Sequence, residues 1–110
     1  MTDLDWARKQ LDKRGPGERL VHGVPCKDAE GYKGWLVVSD QRLWYFQNGP
    51  AGGSEEYEFG AELRRQSVPF SSGKRVLLVV DGQPFAMPTE LADEVEIAVR
   101  KARDAGRTGI

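Results

Sequence analysis

The sequence predicts an α+β domain. A short N-terminal helix precedes seven strands in one antiparallel run that curl into a small barrel, and a C-terminal amphipathic helix caps it. Three observations carry this reading. Residues 34–46, GWLVVSDQRLWYF, hold two β-branched and aromatic runs around the polar break Ser39-Asp40-Gln41, a hairpin with apolar side chains on both faces. Asp81-Gly82 joins two further strand-like runs and is a strong two-residue turn signal. Leu91, Val95, Ala98, Val99 and Ala102 recur at helical spacing as a single apolar stripe.

The elements follow in order. Thr2 is placed to cap a helix over residues 3–14, with Asp3 and Asp5 in its first turn, and Gly15-Pro16 to stop it. Leu4, Ala7 and Leu11 give that helix an apolar side, with Trp6 beside them, so it must dock to be stable. Residues 18–26 alternate loosely, with Leu20, His22, Val24 and Cys26 expected on one face of a first strand. Strands two and three are residues 32–39 and 42–47, followed by a glycine-rich turn over 48–53. Residues 55–59 place Tyr57 and Phe59 inward, and the polar stretch 63–70, with Pro69, reads as an edge strand. Strands over 75–80 and 83–87 complete the run. Thr89 is the expected N-cap of a helix that Gly106 ends. The implied organisation is a helical extension (1–16), a barrel with its helix (17–106) and a tail (107–110).

At 110 residues the chain holds one domain, and 39% hydrophobic with 30% charged residues argues against global disorder. Sixteen Lys and Arg against 17 Asp and Glu give a net charge of -1, which argues against a dedicated duplex-nucleic-acid binder. The single cysteine, Cys26, allows no intrachain disulfide. The first 15 residues lack the apolar core of a signal peptide, and no apolar run could span a bilayer. The expected location is the cytoplasm.

The order of elements resembles the pleckstrin-homology (PH)-like superfold, and more narrowly the bacterial PH-like domains. The resemblance rests on Gly17-Glu18-Arg19-Leu20 opening the first strand, then Gly34-Trp35-Leu36-Val37-Val38-Ser39-Asp40, then Arg42-Leu43-Trp44-Tyr45-Phe46. It covers residues 17–104 and implies a seven-stranded barrel plugged by its last helix, acting by binding. Residues 89–105 lack the tryptophan that many eukaryotic PH domains carry there. Lys27 and Lys33 flank the first hairpin, but Asp28 and Glu30 lie between them, and the alternating charge disfavours a phosphoinositide ligand.

No catalytic or metal constellation emerges. His22 and Cys26 would lie about 13 Å apart along a strand, too far for a thiol–imidazole pair. One Cys with one His cannot build a structural zinc site. The expectation is a binding module, not an enzyme, with no cofactor and with a protein or its own copies as partner. The residues singled out for partner contact are Trp6, whose helix lies outside the barrel unit, Arg42 and Trp44 on the hairpin, Arg64 and Arg65 on the polar edge, and Ile97 opposite the helix stripe. The competing class is nucleic-acid or anionic-lipid binding through Arg64, Arg65, Lys74 and Arg75.

Overall fold

A hairpin apolar on both faces needs cover on both, and the fold supplies it with a curled sheet on one side and a helix on the other. The computed structural model describes residues 4–48 and 52–108, with side chains as far as residue 105. Helix α1 (Leu4–Arg14) is followed by strands β1 (Leu20–Lys27), β2 (Lys33–Ser39), β3 (Leu43–Gln47), β4 (Ser54–Tyr57), β5 (Leu63–Ser67), β6 (Arg75–Val80) and β7 (Gln83–Pro88), and then by helix α2 (Thr89–Thr108). The seven strands form one antiparallel sheet in the order β4-β3-β2-β1-β7-β6-β5. β1 meets β7 at the single pair Lys27 and Ala86, so the sheet folds over at this corner into two halves. β4 and β5 are its two edges.

Two cores result. The inner one gathers Val24, Leu36, Val38, Tyr45, Leu78, Val80, Phe85 and Met87 against Val95, Val99 and Ala102 of α2. The stripe expected on the last helix is therefore its barrel-facing side, with Leu91 packed at the margin. The outer core lies on the opposite face of β2 and β3. There Val37, Trp44 and Phe46 meet Ala7 and Leu11 of α1, with Trp6, Leu20 and Trp35 at its margin. Trp44 and Phe46 stack with ring centroids 5.5 Å apart. Burying these aromatics on a second face stabilises α1, which is too short to stand alone.

Several sequence expectations shift for identifiable reasons. The alternation pattern puts Leu20 on one face with Val24 and Cys26, but it packs in the outer core. A bulge between Leu20 and His22 inserts one residue, which reverses the face of everything before it. β5 ends at Ser67, not at residue 70: Phe70 takes φ 61° in the turn that follows, a conformation that cannot continue a strand. The Asp81-Gly82 turn has positive φ at both positions, as the hairpin geometry requires. The Thr89 hydroxyl donates to the Gly73 carbonyl (2.6 Å), tying α2 to the β5–β6 loop. α2 runs past Gly106 to Thr108. The proposed Thr2 cap and residues 49–51 of the glycine-rich turn lie outside the described residues.

Candidate functional site

Of the two hairpin residues singled out from the sequence, Trp44 is buried and Arg42 stays partly exposed. The Glu18 side chain, only 6% exposed, accepts hydrogen bonds at Oε1 from Ser39 Oγ (2.6 Å) and Trp44 Nε1 (3.0 Å). Its Oε2 lies 3.2 Å from Arg42 Nε, a charge contact without hydrogen-bond alignment. Arg42 also reaches Glu56 (3.1 Å) and lies 5.7 Å from the centroid of the Trp44 ring. Ser39 Oγ in turn accepts the N–H groups of Gln41 (3.1 Å) and Arg42 (3.0 Å), closing the β2–β3 turn. The Gly-Glu and Ser-Asp-Gln-Arg-Leu segments thus form one polar clasp. Arg42 and Trp44 lie in it, and Ala7, Leu11 and Trp6 of α1 pack on the outer core, so Trp44 and Phe46 are covered in cis.

The four cations on the polar edge separate. Arg65 crosses from β5 to α2, where Nε and Nη2 engage Glu96 (3.1 and 2.7 Å) and Nη2 meets Asp93 (2.5 Å). Hydrogen bonds to Glu96 and then to Asp93 push its pKa above the usual arginine range. Arg64 is exposed and pairs with Glu62 at 2.6 Å. Lys74 and Arg75 stand apart from both, at the start of β6.

Arg75 instead joins two lysines around a concavity of about 540 Å³ where the sheet folds over. Pro25, Trp35, Ala86 and Pro88 give it apolar walls, and Lys27, Lys33 and Arg75 give it positive charge. Lys27 and Lys33 are direct cross-strand partners. Like charges placed opposite each other destabilise a hairpin. No lining residue is acidic, and among the described residues none of the three cations has an ion-pair partner.

The acidic residues between the two lysines do not offset them. Asp28 Oδ1 accepts the N–H groups of Glu30 and Tyr32 (both 3.0 Å), and Oδ2 takes the Tyr45 hydroxyl (3.0 Å) and Gln47 Nε2 (3.3 Å). Asp28 and Glu30 line a different concavity, with Tyr45, Glu55 and Phe85. Burial, and then the bond to Asp28, push the Tyr45 hydroxyl above the ordinary tyrosine range. Charges that alternate along the chain are therefore sorted onto two surfaces. In three dimensions Asp28 and Glu30 line a different concavity from Lys27 and Lys33. A cross-strand Lys–Lys pair is visible in the sequence only once the hairpin register is known.

His22 Nε2 contacts Glu94 Oε1 at 2.8 Å in a shallow, exposed depression that also holds Val21, Ile97, Ala98 and Lys101. Cys26 is buried, and desolvation pushes its thiol up to about 12, so it stays protonated at neutral pH. Among the described residues no cluster of three or more His, Cys, Asp or Glu could hold a metal ion. No described helix is long and apolar enough to cross a membrane.

No family model and no curated protein matches the chain. Among solved structures, it is similar to a crystal structure described as the C-terminal domain of an unknown protein from Leishmania infantum. The TM-score is 0.66 at 13% identity, over 91% of this chain and 97% of that one. This likeness concerns the fold alone. The curled seven-stranded antiparallel sheet with its C-terminal helix fits a PH-like fold.

Proposed function

We propose that this chain is a non-catalytic binding module of the bacterial PH-like kind, which takes a carboxylate-bearing segment of a partner protein in the groove at the sheet fold. The observation that carries the reading is Lys27 set directly opposite Lys33, with Arg75 lining the same concavity and no acid among its walls. An anion in the groove relieves that repulsion, and Trp35, Pro25 and Pro88 offer apolar contact to the residues between the acids. With a net charge of -1 and 17 acidic residues, the rest of the surface does not favour an extended polyanion. A second reading, an anionic lipid surface, draws on Phe70, fully exposed at the tip of the loop that leads into Lys74 and Arg75.

Anisotropy titrations of the full chain separate these readings. The probes are a labelled peptide alternating Glu with Leu, a single-stranded oligonucleotide and phosphatidylserine vesicles. Peptide binding that is lost in Lys27→Glu and Arg75→Glu supports the proposal. Peptide affinity unchanged by either substitution overturns it. Vesicle binding lost in Phe70→Ser, with no peptide binding, selects the lipid reading.

A further inference from the structure

We infer that the outer side of α2 is a self-complementary surface on which a second copy of this chain docks, with the two α2 helices antiparallel. Ile97 is 49% exposed on that side, and Val21, turned outward at the β1 bulge, is 44% exposed in the same depression of about 270 Å³. Ala98, on the barrel-facing stripe and largely buried, forms the floor of the depression beside Ile97, and Lys101 and Glu94, the latter also in contact with His22 at 2.8 Å, line it. Glu94 and Lys101 are seven residues apart, about 10.5 Å along the helix, too far to pair with each other. Lys101 has no ion-pair partner among the described residues.

Their spacing fits a particular symmetry. A two-fold axis passing between positions 97 and 98 sets Ile97 of one copy over Ala98 of the other, and Glu94 of each against Lys101 of its mate. The large side chain meets the small one twice, and the opposite charges meet twice. That reciprocity is what an isologous interface demands. Antiparallel helices also align their dipoles favourably. The charge complementarity selects a second copy of this chain over an unrelated apolar partner, since the same patch supplies both halves of every contact.

Sedimentation equilibrium of the full chain, over a series reaching about 1 mM, tests this with paired charge swaps. Glu94→Lys and Lys101→Glu each convert both ion pairs into like-charge contacts, raising the dimer dissociation constant about tenfold or more. Mixed in equal amounts, the two variants regain the wild-type constant, because the heterodimer restores opposite charges across the interface. Recovery in the mixture also shows that each variant is folded. The inference is overturned by a wild-type chain that stays monomeric throughout the series, by single variants that associate like wild type, or by a mixture that fails to recover. Ile97→Asp, which removes the apolar knob, abolishes association if the helix face is the interface and leaves it intact otherwise.

Discussion

Trp44 Nε1 donates to Glu18 Oε1 at 3.0 Å, joining a residue two before β1 to the centre of the outer core. The same oxygen takes the Ser39 hydroxyl, and the other oxygen faces Arg42. Glu18→Ala removes the indole's acceptor, the nearer acceptor of the Ser39 hydroxyl and the charge facing Arg42, and is expected to cost about 2–4 kcal/mol of stability. Glu18→Gln keeps an amide oxygen for Ser39 or Trp44 and costs less. Urea unfolding of both variants measures this. An alanine variant no less stable than the glutamine variant contradicts the clasp.

Two glycines on neighbouring parts of the sheet separate strain from mere crowding. A Cβ on Gly34 would sit 2.5 Å from the Phe46 carbonyl oxygen and 2.6 Å from the Tyr45 ring, so backbone must move. Gly34→Ala is expected to destabilise by about 1–3 kcal/mol. A Cβ on Gly23 would meet only Leu4 Cδ1 at 2.8 Å, with its next neighbour at 3.6 Å, and Leu4 can rotate away. Gly23→Ala is expected to stay within about 0.5 kcal/mol of wild type. Thermal melts of the two variants give the comparison directly.

Stability should fall in alkali. Burial raises the Cys26 thiol from 9.0 to about 12, and burial also raises the Tyr45 and Tyr57 hydroxyls, helped by Asp28 and Glu55 respectively. A raised folded-state pKa means the folded chain holds the proton more tightly. The stabilisation is complete below pH 9 and is lost as pH climbs toward 12. Urea midpoints between these limits should decline, and the slope for Cys26→Ala should be shallower by the thiol's share. A flat profile would refute the assignment.

The groove predicts opposite effects on stability and binding. Lys33→Glu turns a cross-strand Lys–Lys repulsion into an attraction between Lys27 and a carboxylate, and is expected to stabilise the chain by about 0.5 kcal/mol. The same change removes affinity for the Glu-Leu peptide. A variant that loses both stability and binding would indicate general damage instead of a binding arrangement held against a folding cost.

Much of this was readable from the chain. The hairpin at residues 34–46, the Asp81-Gly82 turn and the α2 stripe each depend on neighbours a few residues away, and each appears close to where expected. What was not readable depended on register or on long-range contact. The bulge at Val21 changed the face of Leu20, which no alternation pattern reveals. Arg65 looked like part of a cationic edge because its partners, Asp93 and Glu96, lie about thirty residues on. Arg75 found its cationic company in Lys27 and Lys33, more than forty residues earlier in the chain.

The sequence by itself determined the elements and their order, because helix and strand periodicity, turn chemistry and caps are local properties of side chains. It also determined that the hairpin needed cover on both faces. The tertiary structure alone decided which cover lay on which face, with α1 over Trp44 and Phe46 and α2 closing the barrel. It decided, too, that charges alternating along residues 27–33 would divide between two surfaces. Strand geometry sends successive side chains to opposite sides, and only the folded sheet fixes what each side meets.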